Sequence, residues 1–221
     1  MFYKIHKDKA LVQILIYIFL VILFLMENSI ITGKYNIHSK IDGMIPFIPI
    51  FVLPYLSWFL FIAFAFVIFF IKSREDLLNT FRSINLDMII AMIIYVLFPN
   101  YQSLRPTTYS SDLFSQLVKL LQIGDSSSSV FPSLHVAISV TLYLGIKNSV
   151  CFKDNSIVKF FTLILTLLIS ISTVFIKQHS ILDVLAGIFL SFIVYIFVYK
   201  IFINYHLSKN NSDKESYIQT K

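Results

Sequence analysis

Long apolar stretches recur along this chain at about Ala10 to Met26, Pro46 to Ile71, Leu86 to Pro99, Phe131 to Leu144, Ile157 to Ile176 and Ile181 to Ile203. A helix needs roughly 20 apolar residues to cross the hydrocarbon core of a bilayer, and inside that core only helices or closed barrels satisfy their backbone. The six stretches therefore predict an all-α, polytopic membrane protein of six spans, two of them short. Hydrophobic residues make up 57% of the 221, and mean hydropathy is +0.79, which excludes an ordinary soluble domain.

Charge supports the same reading. With the N-terminus placed in the cytoplasm, the inner connections collect Lys4, Lys7, Lys9, Lys72, Arg74, Arg82, Lys147, Lys153, Lys159, Lys200, Lys209, Lys214 and Lys221. The outer side receives only Lys34, Lys40, Arg105, Lys119 and Lys177. Positive charge collects on the cytoplasmic side, so both termini are expected inside and the loops after the third and fifth spans outside. The net charge of +6 is explained by this topology, and no basic stripe with interleaved aromatics calls for nucleic acid. The first span, preceded by three lysines, resembles a signal peptide in layout but lacks a small-x-small cleavage site after Met26, and is read as an uncleaved anchor. A lone cysteine, Cys151, excludes an intramolecular disulfide framework and a cysteine-based zinc site.

Between spans, the connection from Lys72 to Asp87 reads as a cytoplasmic loop. The connection from Asn100 to Val130 is long enough to form a lid, with a short amphipathic helix over Ser111 to Leu121. Residues 1–207 form one membrane domain, and the polar segment from Ser208 to Lys221 reads as a disordered cytoplasmic tail.

Chemistry concentrates at three places on the outer side. In His179-Ser180-Ile181-Leu182-Asp183, the imidazole and the carboxylate share one helix face if a helix starts there. The Asp can then hold one ring nitrogen and leave the other as a nucleophile. In Pro132-Ser133-Leu134-His135, a proline-initiated helix offers free N–H groups and a hydroxyl to an anion, and His135 is placed to protonate a leaving oxygen. Arg105, followed by Pro106, carries a permanent charge suited to phosphate oxygens. Taken singly, each run also fits ordinary helix-end chemistry: a capping pair, a serine cap with an interfacial histidine, a loop arginine. His6, His38 and His206 read as surface residues, and Tyr95, Phe98, Pro99 and Tyr101 as an interfacial aromatic belt outside the site.

In order and spacing the three runs resemble the tripartite signature of the type 2 phosphatidic acid phosphatase (PAP2) superfamily, over about Tyr95 to Gly187. That signature has an Arg-Pro, then Pro-Ser-Gly-His, then a His with an Asp four residues later. The resemblance implies His179 as the nucleophile, Asp183 as its orienting partner, His135 as the acid to the leaving group, and Arg105 and Ser133 as holders of the phosphoryl oxygens. It implies hydrolysis of a phosphatidate-like or polyprenyl diphosphate lipid through a phosphohistidine, with no metal or other cofactor. The compact size and the Lys, Ile, Asn and Phe bias point to the plasma membrane of a bacterium. The chain departs from the pattern at Phe98, where a Lys is usual, at Leu134, where Gly is usual, and at Thr173, where Arg is usual. Lys177 is the candidate substitute for that lost arginine. These departures also bring the chain near the inositol-phosphoceramide and sphingomyelin synthase branch, so phosphotransfer to an alcohol and a catalytically silent lipid-binding relative stand as alternatives.

Overall fold

The computed structural model describes residues 2–202; the tail expected from Ser208 lies outside the described residues. Among these residues eight α-helices follow in order: α1 (Phe2–Ile30), α2 (Lys40–Met44), α3 (Val52–Lys72), α4 (Arg74–Leu97), α5 (Leu113–Gly124), α6 (Leu134–Asn148), α7 (Ser156–Phe175) and α8 (Ile181–Tyr195). A π-helical stretch, Ile196–Phe202, continues α8. The β structure among the described residues is one two-residue parallel pair, β1 (Tyr35–Asn36) with β2 (Asn100–Tyr101), joining the connection after α1 to the end of α4.

Among the described residues, five helical segments are long and apolar enough to cross a membrane: Lys9–Ile30, Pro49–Lys72, Arg74–Leu97, Ser156–Phe175 and Ile181–Lys200. Their outer faces carry exposed Leu15, Phe19, Phe59, Leu60, Phe160, Phe161 and Phe189, more contiguous apolar surface than a water-exposed fold tolerates. The expected sixth span is α6, and it falls short. At 15 residues it is about 22 Å long, against about 30 Å of hydrocarbon. The physical reason is its place in the bundle. Helix α6 packs against α3, α4, α7 and α8, and most of its residues are buried. Its length is therefore set by protein neighbours rather than by lipid.

The connection expected over Lys72 to Asp87 is instead the first half of α4. Ser73 makes the break after α3, and its hydroxyl accepts the N–H of Asp76 at 3.2 Å, so α4 restarts after a single residue. Asn79, Thr80, Ser83, Asn85 and Asp87 of this half are buried, and Asn85 donates to the carbonyl and side-chain oxygens of Gln13 on α1, at 3.0 and 2.9 Å. Asp87, fully buried, accepts from Thr141 of α6 at 2.5 Å. A polar loop and a polar helix face have similar compositions, and the partners on α1 and α6 decide between them.

The connection from Asn100 to Val130 contains the expected amphipathic helix, found as α5 and capped by Asp112, whose carboxylate accepts the N–H of Ser115 at 3.0 Å. It is a pinned structure. Asn100 bridges its two ends, accepting the N–H groups of Val130 and Phe131 at 2.8 and 2.9 Å. Gln102 and Gln122 donate to the carbonyls of Lys177 and Ile176 at 3.0 and 2.8 Å, which ties the connection to the turn between α7 and α8.

Candidate active site

Two helix starts form the site. At the first, the Phe131-Pro132 peptide bond is cis and Ser133 caps α6, its hydroxyl accepting the N–H of Val136 at 3.4 Å. His135 is thus set in the first turn. At the second, Ser180 caps α8 and Asp183 completes a capping box by accepting the Ser180 N–H at 2.8 Å. The same carboxylate oxygen, Oδ2 of Asp183, lies 3.3 Å from Nδ1 of His179. The capping pair and the orienting pair, alternatives in the sequence, are one arrangement: a single carboxylate closes the helix and holds the imidazole.

Further bonds fix the two starts relative to each other. The N–H groups of Gln178 and His179 both donate to the carbonyl of Thr173, at 2.9 and 3.1 Å. The Ser133 N–H donates to the Asp183 carbonyl at 3.1 Å. Gly187 permits this approach, because a Cβ there would fall 2.6 Å from the Ser133 carbonyl oxygen. The rings of His135 and His179 consequently lie 5.9 Å apart, centre to centre. His135 also packs between Tyr55 and Trp58 of α3, each at 4.6 Å.

Both histidines line a cavity of about 830 Å3 that runs from the polar turn at Asp125 to Ser129 down between α1 and α3. Its lower part is walled by Ile14, Tyr17, Val21, Phe24, Phe59, Ile62 and Phe66, an apolar lining of the kind that receives hydrocarbon. Among the described residues, no Lys or Arg belongs to the lining.

The expected phosphate-holding residues are placed differently from the histidines. Ser133 is fully buried behind the cavity wall, with its N–H and its hydroxyl oxygen engaged as above. The Arg105 guanidinium donates to the carbonyls of Gln122, Asp125 and Ser126 at 2.8, 2.9 and 2.8 Å, where it gathers the exposed carbonyls at the end of α5. Lys177, expected to replace the missing arginine, sits at φ 58° and sends its ammonium away from the cavity to the carbonyls of Asp42 and Ile45, at 2.8 and 2.5 Å. A side chain two residues before His179 leaves the turn on another side, which linear spacing does not reveal.

Three residues near the two histidines were not singled out for the site by sequence. Tyr95, assigned to an interfacial belt, is buried and donates to the Pro132 carbonyl at 2.6 Å. Asp42, from α2 in the connection between α1 and α3, accepts the Ser180 hydroxyl at 2.6 Å and the Ile181 N–H at 2.9 Å. Asp125 lines the cavity and accepts from Gln178 at 2.9 Å. Burial pushes its carboxyl above the usual carboxylate range, opposed by the charge of Arg105. Burial also lowers the pKa of Arg105, opposed by Asp125. The only local signal for these contacts was the capping-box spacing Ser39 to Asp42. Among the described residues, no group of three or more His, Cys, Asp or Glu side chains is assembled to hold a metal ion.

A bundle of membrane-length helices with two helix-start histidines, one paired to an aspartate, defines a class of helical proteins with a histidine-centred site at the mouth of an apolar cleft. The chain belongs to the PAP2 superfamily, whose family profile matches residues 80–206, more than half of its length. Its fold is similar to the crystal structure of Aquifex aeolicus LpxE, with a TM-score of 0.51 and 18% identity over 81% of this chain and 94% of that one. No curated protein matches significantly.

Proposed function

We propose that this protein is a membrane lipid phosphatase that removes phosphate from a phosphatidate-like or polyprenyl diphosphate lipid through a phosphohistidine, without a metal ion. The observation that carries the reading is the pairing of His179 with Asp183 at 3.3 Å, opposite His135, at the polar end of an apolar cavity. Family membership supports the same reaction class.

Asp183 accepts from Nδ1 of His179 and keeps the lone pair on Nε2 for phosphorus. Attack by Nε2 forms the P–N bond as the ester P–O bond breaks, and His135 gives its proton to the departing oxygen. In the second half, His135 takes a proton from water, the water oxygen bonds to phosphorus, and the P–N bond breaks to release inorganic phosphate and free His179. Asp183 stabilises the ring while it carries positive charge. Arg105 and Ser133 act on the phosphoryl group through the turn and helix start they organise, with Arg105 adding a long-range positive field. The acyl or prenyl chain occupies the groove between α1 and α3. We place the chain in a bacterial plasma membrane with both ends inside and the site outside, counting α6 as a short sixth crossing; the excess of Lys and Arg on the inner loops supports this.

The test is phosphate release by purified protein from phosphatidate and from polyprenyl diphosphate, with a chelator present and with His179→Ala in parallel. Release that resists the chelator and disappears in the variant is expected. Absence of release from both lipids would overturn hydrolysis and favour transfer to an alcohol or a silent relative.

A further inference from the structure

The residue that sets the start of α8 lies far away in sequence. Asp42 is 1% exposed, and both oxygens of its carboxylate accept from donors. Oδ2 accepts the Ser39 N–H at 2.7 Å and the Ser180 hydroxyl at 2.6 Å, while Oδ1 accepts the Ile181 N–H at 2.9 Å. Its own carbonyl accepts the Lys177 ammonium at 2.8 Å. Residues 177, 180 and 181 surround His179, so one side chain and one carbonyl of the outer loop hold the reactive residue on both sides.

We infer that Asp42 is a positioning residue for the reaction proposed above: it fixes Ser180, and through Ser180 the Asp183 carboxylate that orients His179. The chain of contacts is continuous. The Ser180 hydroxyl donates to Asp42 while the Ser180 N–H donates to Asp183 Oδ2, the oxygen that faces His179 Nδ1. All three groups bound by Asp42 are donors, so an ionised carboxylate satisfies them and an amide cannot. In Asp42→Asn, one N–H or O–H is turned onto the amide NH2 and must move. A buried donor without an acceptor is costly enough to shift a helix start. Displacements of about 1 Å at a reacting group cost on the order of 100-fold in rate.

The role also accounts for Lys177. Its positive φ turns the ammonium toward Asp42 and Ile45, so this cation completes the buttress rather than the phosphate site.

The experiment compares wild type, Asp42→Asn, Asp183→Asn and the double variant on one lipid phosphate, with kcat and KM measured separately and thermal melting recorded in detergent. Asp42→Asn is expected to lower kcat about 10- to 100-fold with KM changed less than about threefold, and to add little in the Asp183→Asn background, because the two act in one chain. An unchanged kcat, a rise in KM alone, or an equal loss in both backgrounds would overturn the inference. Should Asp42→Asn not fold, Ser180→Ala breaks the same link more mildly and must show the same dependence on Asp183; independence there overturns the inference too. If wild type releases no phosphate, the phosphatase reading fails on its own. The positioning claim is then decided by 15N NMR of His179, assigned with His179→Ala. Asp42→Asn or Ser180→Ala must shift the balance between its Nδ1–H and Nε2–H tautomers, and an unmoved balance overturns the claim.

Discussion

The backbone N–H of Ser133 donates to the main-chain carbonyl of Asp183 at 3.1 Å. The caps of α6 and α8 are thereby joined without any side chain, and the separation of His135 from His179 becomes a property of helix packing. Gly187 is the residue that allows it.

Gly187→Ala puts a methyl 2.6 Å from the Ser133 carbonyl oxygen, and backbone rather than a flexible side chain has to move. The expected cost is about 1–3 kcal/mol of stability and about 10- to 100-fold in kcat, because the two histidines separate. Melting temperature and turnover measured on the same preparation check both.

Asp125 is the carboxylate of the cavity lining, and burial raises its pKa. A raised folded-state pKa means that the ionised form costs stability above that pKa, and that the cost fades as pH falls toward the unfolded value of about 3.9. Asp125→Asn keeps an acceptor for Gln178, so it is expected to be more stable than wild type at neutral pH, with the difference vanishing near pH 4. Denaturation midpoints across that range test it. At neutral pH the variant should also bind an anionic lipid phosphate more tightly, seen as a lower KM.

Lys177→Met separates the two roles open to this cation. With the ammonium on the carbonyls of Asp42 and Ile45, KM should stay within about twofold while kcat and melting temperature fall. Loss of a direct charge-assisted bond to phosphate would instead raise KM about tenfold or more.

Thr141→Val removes the hydroxyl that donates to the buried Asp87 carboxylate between α6 and α4. Stability is expected to fall by about 1–3 kcal/mol, the cost of an unsatisfied buried acceptor. Replacing both residues, Asp87→Leu with Thr141→Val, should recover part of the loss, and denaturation of the single and double variants decides.

Apolar runs of bilayer length, the excess of lysine and arginine on alternate loops, and the spacing of His179 to Asp183 and of Pro132 to His135 are one-dimensional patterns. They were legible because lipid solvent and the helical repeat act locally along the chain. Within that reach fell the helical fold and α5. The pairing of His179 with Asp183 also followed, since four residues on one helix face suffice to bring them together.

The direction of each remaining side chain was decided only in three dimensions. Phosphate affinity at Arg105 and Lys177 was a fair expectation from charge, yet both cations end on backbone carbonyls, because the end of α5 and the 42–45 segment leave carbonyls without a helical partner. The first half of α4 looked like a loop until Gln13 supplied a partner for Asn85 and Thr141 one for Asp87. Asp42 lies 138 residues before the serine it holds. Sequence alone determined a helical membrane chain with a histidine and aspartate at a helix start. Tertiary packing decided which polar groups face the cavity, because a buried donor or acceptor takes whichever partner the fold brings within reach.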